Sequence, residues 1–128
     1  MEDNQKNRFL PNSSKEALEI HSEATLTDLQ HYIAALCKEK GWDKNSHLEI
    51  FLLLSEEVGE LANAIRRHTN LHKRAEDGTT KEATRALLAS ELVDVLNYIL
   101  DLANYFEIDL QKAFIEKNKD NERRNWQA

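Results

Sequence analysis

Hydrophobic residues recur along the chain at the three- and four-residue spacing of amphipathic helices. Nowhere do β-branched residues alternate with polar ones over the length of a strand. Glycine occurs three times and proline once, so few residues interrupt this pattern. The pattern predicts an all-α fold with four main helices, over about residues 27–40, 46–68, 79–106 and from 109 onwards.

Capping residues and apolar stripes define these helices further. The predicted caps are three capping boxes, a glycine stop and an aspartate cap: Thr27 with Gln30, Ser46 with Glu49, Thr79 with Glu82, Gly41, and Asp109. The predicted core stripes are Phe51, Leu54, Val58, Leu61 and Ile65 on the second helix, and Leu88, Leu92, Val95, Ile99 and Leu102 on the third. We expect these two helices to pack as an antiparallel pair.

The first 24 residues differ from the rest of the chain. They are polar, they include the only proline, and they offer at most one short helix around residues 13–20. We expect residues 1–24 to form an arm that can embrace a partner, and residues 25–128 to form one helical domain.

Composition limits the classes of protein. Hydrophobic residues make up 41% of the chain, and no apolar run approaches the ~20 residues of a membrane span. The amino terminus lacks the layout of a secretory signal, and the lone Cys37 cannot form an internal disulfide, which favours the cytoplasm. Because Cys37 lies on an apolar helical face, we interpret it as a buried thiol rather than a nucleophile.

The charge balance argues against nucleic-acid polymers as partners. The net charge is −6, and no cluster of Lys and Arg is longer than a pair. A small anionic substrate remains compatible with this charge if a divalent metal reverses the local sign.

An internal repeat with an offset of 34 residues places the same residue types on two helices. Leu53-Leu54-x-x-Glu57-x-x-Glu60-x-x-Asn63-x-Ile65 matches Leu87-Leu88-x-x-Glu91-x-x-Asp94-x-x-Asn97-x-Ile99. In each copy the two acids are neighbours on the helix surface and border the apolar stripe. Packing the stripes together would bring all four carboxylates into one groove between the helices.

Four like charges in a partly dry groove repel, unless protonation, cationic side chains or a metal relieves the repulsion. No Lys or Arg is expected on those faces. Oxygen-only ligands suit hard cations, which predicts Mg²⁺, or Mn²⁺, held by Glu57, Glu60, Glu91 and Asp94. Glu56 is open to three interpretations: a ligand of a second ion, a residue that orients a water molecule, or a solvated side chain.

Two other interpretations of the acids were weighed. A ferritin-like di-iron site needs Glu-x-x-His pairs, and none of the five histidines stands three residues after a Glu. A solvated acidic helix face would explain one E-x-x-E pair, but two copies at matched positions beside the core stripe favour a functional site.

The pattern Glu56-Glu57-x-x-Glu60 followed by Glu91-x-x-Asp94 resembles the signature of the MazG-like superfamily of all-α NTP pyrophosphatases. The resemblance covers about residues 25–126 and is strongest to the branch that acts on deoxycytidine triphosphate. The matching residues outside the acids are Thr25-Leu26-Thr27-Asp28, Trp42, Tyr98, and Lys117-x-x-x-Asn121-x-x-Arg124.

This resemblance implies a Mg²⁺-dependent hydrolysis of a nucleoside triphosphate to the monophosphate and pyrophosphate. It implies that Trp42 and Tyr98 contact the nucleotide and that Lys117, Asn121 and Arg124 contact phosphate. It also implies assembly as a dimer or a tetramer built from dimers. Arg67 stands where the deoxycytidine branch has a second aromatic residue, so the base pocket is expected to differ.

Two alternative functions remain open at this point. One is a non-catalytic helical module that binds a partner and needs no metal. The other is hydrolysis of a related phosphoanhydride, such as the phosphoribosyl-ATP of histidine synthesis.

Overall fold

The computed structural model describes residues 19–69 and 79–124 of the chain. These residues form four α-helices and no β-strand, which confirms the predicted all-α fold. The helices are α1 (Leu26–Lys40), α2 (His47–Thr69), α3 (Lys81–Tyr105) and α4 (Leu110–Arg123), with a short 3₁₀ turn at Trp42–Lys44. The chain divides into two compact units. The first contains the described parts of residues 1–44 and 100–128, and the second contains those of residues 45–99.

The N-cap of helix α1 is Thr25, two residues earlier than the predicted cap Thr27. The Thr25 hydroxyl accepts a hydrogen bond from the Asp28 amide at 3.1 Å, and the Asp28 carboxylate accepts one from the Thr25 amide at 2.9 Å. This pair forms the capping box. The predicted box of Thr27 and Gln30 is therefore wrong, because Gln30 is fully buried and bonds elsewhere.

The other helix ends follow local chemistry closely. The Ser46 hydroxyl accepts from the Glu49 amide at 3.3 Å, as predicted for the start of α2. Asp109 caps α4 as predicted. At the start of α3 the hydroxyl of Thr80 accepts a hydrogen bond from the Ala83 amide at 3.0 Å.

Gly41 ends α1, as predicted, because it adopts a left-handed backbone with φ of 76° that a side chain would disfavour. Its amide donates to the carbonyl groups of Cys37 and Lys38.

A buried polar network fixes the first unit. The Gln30 side chain is fully buried; its amide nitrogen donates to Asn104 Oδ1 at 3.2 Å and to the Ile108 carbonyl at 2.9 Å. Its oxygen accepts from the Leu110 amide at 2.8 Å, and Asn104 Nδ2 donates to the Gln30 carbonyl at 2.9 Å. The network ties α1 to the turn between α3 and α4. Around it packs an apolar cluster of Ile33, Cys37 and Leu100.

Contacts at two levels define the second unit and show that α2 and α3 run antiparallel. His68 Nδ1 lies 2.8 Å from the Thr84 hydroxyl, near the end of α2 and the start of α3. Nearer the middle of both helices, Glu57 of α2 approaches Glu91 and Asp94 of α3. Residue numbers therefore fall along α3 as they rise along α2, as the repeat predicts for this pair.

The predicted core stripes of α2 and α3 are partly wrong. Phe51, Val58 and Leu92 are 59%, 49% and 52% exposed, and Ile65 and Ile99 are also exposed. The inward side of α2 instead carries Ile50, Leu53, Leu54, Glu57, Leu61, Ala64 and His68. Both helices are thus apolar on two sides, and the carboxylates lie within the inward side rather than at its border.

Two further predictions concern membrane-spanning helices and the amino-terminal arm, and the structure bears on the first of them. No helix among residues 19–69 and 79–124 is long and apolar enough to cross a bilayer. Most of the arm of residues 1–24, with its possible short helix, lies outside the described residues.

We expect Gln30→Leu to lower the free energy of unfolding by about 3 kcal/mol. The change leaves Asn104 Oδ1, the Ile108 carbonyl and the Leu110 amide without their partner, and an unsatisfied buried group costs about 1–3 kcal/mol. Urea denaturation measures the difference. The control is Gln111→Leu, which removes a single 3.3 Å bond from the Thr27 amide and should cost about 1 kcal/mol or less. Equal effects of the two changes would contradict a special role for the Gln30 network.

Candidate active site

Three of the predicted acidic residues meet between α2 and α3. Each of Glu57, Glu91 and Asp94 offers one carboxylate oxygen, and these oxygens lie within 4.8 Å of one another. All three residues are half-buried. They meet because Glu57 lies on the inward side of α2, while Glu91 and Asp94 are neighbours three residues apart on α3. We call these three residues the carboxylate cluster.

The cluster is electrostatically unfavourable without a cation. Burial, followed by the charges of Asp94 and Glu91, raises the pKa of the Glu57 carboxyl above its ordinary value. A hydrogen bond with the Glu91 carboxyl acts in the same direction. In addition, Glu91 Oε2 is buried and accepts no hydrogen bond within the described part of the chain. The cluster therefore presents a buried acceptor oxygen that residues 19–69 and 79–124 leave unsatisfied.

The other two predicted acids lie further from this point. Glu60 is exposed and does not belong to the carboxylate cluster, although its charge contributes to the raised pKa of Glu57. Glu56 is also exposed. The structure therefore brings three of the four predicted metal ligands together and leaves Glu60 at the edge of the group.

The cluster fits a hard divalent cation. Two oxygens bound to one Mg²⁺ at about 2.1 Å can lie at most about 4.2 Å apart, so small side-chain adjustments would let all three bind one ion. Every donor is a carboxylate oxygen, which is the ligand type that Mg²⁺ and Mn²⁺ prefer. A bound dication would also remove the repulsion that raises the pKa of Glu57.

The predicted nucleotide-contacting residues are spread over both units. Tyr98 belongs to the second unit, where it is half-buried one turn after Asp94 on α3. The remaining four belong to the first unit. There Trp42 is 52% exposed in the short 3₁₀ turn, Lys117 is exposed on α4, and Asn121 is half-buried near the end of α4.

Arg124 is the C-cap residue of α4. Its φ of −63° and the hydrogen bond from its amide to the Asp120 carbonyl are those of a helical residue, and only its ψ of 116° is extended. Because ψ redirects the chain after Arg124, its contact with phosphate stays a prediction.

Cys37 is buried, as predicted, and its thiol resists ionisation. Burial and the nearby charge of Asp101 raise the pKa of its thiol to about 12. Burial also raises the pKa of the Asp101 carboxyl, while its hydrogen bond with Cys37 acts in the opposite direction. The thiol therefore stays protonated near neutral pH.

The sequence predicted no Lys or Arg on the helix faces that carry the acids, and this prediction overlooked Arg67. Arg67 follows Glu60 by seven residues on the continuous helix α2, so the two side chains leave the same side of the helix. Arg67 is half-buried. The seven-residue spacing is visible in the sequence and would have identified it.

Comparison with known proteins identifies relatives of this chain. Residues 45–126, well over half of the chain, match the family described as MazG nucleotide pyrophosphohydrolase domain. The chain is 34% identical over 103 residues to dCTP pyrophosphatase 1 of Rattus norvegicus and equally to that of Homo sapiens. It is 33% identical over 104 residues to the Bos taurus protein. Each alignment covers 80% of this chain, but the chain spans only 59–60% of the length of these relatives.

The raised pKa of Glu57 predicts a pH-dependent effect of Glu57→Gln on stability. The folded state resists ionisation of this carboxyl, so ionisation lowers the stability of the folded state. This loss of stability is absent below the ordinary pKa of 4.5 and grows as the pH rises from there through the raised pKa of the folded state. With chelator present, we expect Glu57→Gln to be more stable than the wild type at pH 7, and this difference to vanish near pH 4. Urea denaturation at both pH values measures it.

Magnesium should reverse that order. A ligand at 100 times its Kd stabilises the folded state by about 2.7 kcal/mol, and only the wild type retains all three carboxylates to bind it. A Glu57→Gln variant that is less stable than the wild type at pH 7 in chelator would contradict repulsion within the cluster.

Proposed function

Because the chain belongs to the MazG nucleotide pyrophosphohydrolase family, we propose that it is a Mg²⁺-dependent enzyme that hydrolyses a nucleoside triphosphate to the monophosphate and pyrophosphate. The observation that carries this proposal is the meeting of Glu57, Glu91 and Asp94 within 4.8 Å. A non-catalytic helical module would have no reason to keep three repelling acids between two packed helices.

The carboxylate cluster has one role in this reaction that follows from its chemistry. Its oxygens would hold the dication, and the exposed Glu60 and Glu56 of α2 would be available to a second ion or a water molecule. A bound dication neutralises phosphate charge and activates water. The oxygen of water forms a bond to the α-phosphorus, the bond from that phosphorus to the bridging oxygen breaks, and pyrophosphate leaves. The proton released from water passes to a carboxylate of the site.

The remaining contacts follow from the family resemblance. We propose that Tyr98 and Trp42 pack against the nucleoside. Trp42 is 52% exposed and Tyr98 is half-buried, so each ring has apolar surface that a base or sugar can cover. Lys117 and Asn121 contact phosphate oxygens from α4, and Arg124 does so from the residue that follows the helix.

We propose a deoxynucleotide such as dCTP as the substrate. The support is the identity of about one third to proteins named dCTP pyrophosphatase 1. Arg67 marks a difference from that branch near the site, so the substrate panel must include other bases and phosphoribosyl-ATP, the related phosphoanhydride. The lone buried Cys37 is consistent with the cytoplasm as the proposed location.

We also propose that the protein assembles as a dimer, or as a tetramer built from dimers. The second unit exposes a run of large apolar side chains on α2 and α3: Val58, Ile65, Leu92, Leu96 and Ile99. The 34-residue repeat relates Val58 to Leu92 and Ile65 to Ile99, so this surface has nearly the same pattern on both helices. A surface with such internal symmetry suits an isologous contact with a second copy of the chain.

The activity prediction concerns Glu57→Gln and Asp94→Asn. Either change removes a charged ligand from the cluster, and we expect at least about a 100-fold loss of kcat/KM with the best triphosphate. Release of pyrophosphate from a panel of triphosphates and phosphoribosyl-ATP with Mg²⁺ measures it. Glu39→Gln, an exposed acid on α1, is the control and should leave activity unchanged. A wild-type protein inactive on every substrate, or variants with full activity, would defeat the proposal and favour the non-catalytic module.

The assembly prediction concerns Leu92→Lys. Leu92 is 52% exposed, so the change should do little to the folded chain, but a buried charge at a subunit contact should weaken assembly. We expect sedimentation to show the wild type as a dimer or tetramer and the variant shifted towards monomer. Ile115→Lys on α4, also half-exposed, is the control. A wild type that sediments as a monomer would exclude the proposed assembly.

A further inference from the structure

A third side of α2 carries large apolar residues in its first half and small residues in its second half. Leu48 and Leu52 are 69% and 71% exposed, more than any other large hydrophobic residue that the structure describes. Ser55, Gly59 and Ala62 continue the same side and are also exposed. These five positions are separated by steps of four, three, four and three residues, which is the spacing of a helix side that packs along a second helix. We call these five residues the leucine–glycine stripe.

The leucine–glycine stripe differs from the apolar surface already proposed for assembly. Val58 and Ile65 of that surface lie about 90° around α2 from the stripe. The buried residues Ile50 and Ala64 lie on the opposite side of the helix, which faces α3. The stripe therefore needs an explanation of its own.

Gly59 is the member of the stripe that the single chain explains least. Glycine in the middle of a helix destabilises it relative to alanine, because glycine loses more conformational freedom on folding. A Cβ atom at position 59 would meet no other atom within 4 Å, so the described part of the chain does not require a glycine there. The second copy of the internal repeat has Val93 at the equivalent position. A glycine is explained if the backbone of another helix approaches α2 closely at this point.

Ser55, at the middle of the stripe, is suited to such a close contact. Its hydroxyl donates to the Phe51 carbonyl of its own helix at 2.9 Å. The hydroxyl is therefore satisfied within α2 and needs no partner from another molecule. The side chain occupies little space, so a second helix can lie directly against it.

The stripe is complementary to itself when it is reversed. If two copies of α2 lie antiparallel with Ser55 beside a two-fold axis, Leu52 of each copy faces Gly59 of the other copy. Leu48 of each copy then faces Ala62 of the other copy. Every leucine enters the space that a small residue leaves, as close packing requires, and the two-fold axis repeats each contact. This match between large and small residues identifies a second copy of the chain as the molecule that covers the stripe.

The equivalent side of α3 is a less suitable partner. It runs in the opposite order, from Ala86 and Ala89 to Val93 and Leu96, and would match α2 of another copy only in a parallel arrangement. That arrangement would place Leu48 against the charged residue at the equivalent position of α3, which is Glu82. The antiparallel contact of α2 with α2 places no charge inside the stripe.

We propose that two copies of the chain pack α2 against α2 through the leucine–glycine stripe, antiparallel and across a two-fold axis. This contact is separate from the surface that contains Val58 and Leu92. Two different two-fold contacts on one chain build a tetramer from two dimers. The inference rests on the assembly proposed above, from which it selects the tetramer, and it does not depend on the proposed hydrolysis.

Sedimentation of the full chain tests the two contacts separately. Leu52→Lys places a charge in the leucine–glycine stripe, and we expect it to convert the tetramer into a dimer. Leu92→Lys acts on the other surface and should also leave a dimer, while the two changes together should give a monomer. Ile115→Lys on α4 is the control and should remain a tetramer.

Two results of the sedimentation experiment would overturn the inference. One is a Leu52→Lys variant that stays a tetramer, which is expected if the amino-terminal arm of the same chain covers the stripe. The other is a wild-type dimer that Leu92→Lys dissociates and Leu52→Lys does not, in which case only the earlier surface stands. If Leu52→Lys dissociates an assembly that hydrolyses no triphosphate, the proposed function fails and the contact stands.

A pair of changes at the facing positions tests the match between large and small residues. Gly59→Leu fills the space that receives Leu52 of the other copy, so it should convert the tetramer into a dimer. Adding Leu52→Ala opens a space opposite the new side chain, so the double variant should return to a tetramer. Circular dichroism shows that both variants are helical. A Gly59→Leu variant that assembles like the wild type would contradict close approach at Gly59.

Disulfide formation tests the antiparallel arrangement. Ser55→Cys places one thiol from each copy beside the two-fold axis, and mild oxidation should give a covalent dimer. The native Cys37 is the only cysteine of the chain and is buried, so it should not react. The control is Glu49→Cys, which is equally exposed but would lie about 18 Å from its equivalent along the paired helices. Failure of Ser55→Cys to form the covalent dimer, or equal reaction of both variants, would exclude this arrangement.

Discussion

Repulsion among the acids of the second unit is the constraint on which the site depends. Burial, together with the neighbouring charges of Asp94 and Glu91, raises the pKa of Glu57, and the oxygen Glu91 Oε2 is buried without a hydrogen-bond donor among the described residues. Each of these features disfavours the folded state when no cation is present. The pair of helices must hold the acids in place by other contacts. Buried residues such as Ile50 and Ala64, and the contact of His68 with Thr84, provide them.

Use of the inward side for acids has a consequence for the outward side. When part of the space between α2 and α3 holds carboxylates, less apolar surface is buried there, and stability must come from elsewhere. The outward sides of both helices carry large apolar residues, including Val58 and Leu92, that are about half-exposed in the single chain. Binding of substrate and pairing of subunits would thus be linked, because both act on the same two helices from opposite sides.

The sequence was sufficient to predict the helices and their ends, but it was insufficient to predict the rotation of each helix about its axis, which decides the side that faces inward. Ser46, Asp109 and Gly41 mark helix ends through local hydrogen bonds and backbone geometry, which depend on few neighbours. The stripe of Phe51, Val58 and Ile65 was assigned to the core because hydrophobic spacing alone cannot choose between two apolar sides of one helix. The exclusion of Glu60 from the carboxylate cluster was also beyond reach, since it depends on the rotation of each helix about its axis.

The internal repeat explains where acids meet, and the copies differ in the charges that surround those acids. At the position that follows Ile65 and Ile99 by two residues, the copies carry Arg67 and Asp101, which have opposite charge. Asp101 is occupied by its hydrogen bond with the Cys37 thiol in the first unit, where burial raises its pKa. Arg67 has no such partner among the described residues. The two copies therefore share the acids that meet, and a change of charge two residues after the repeat makes their surroundings different.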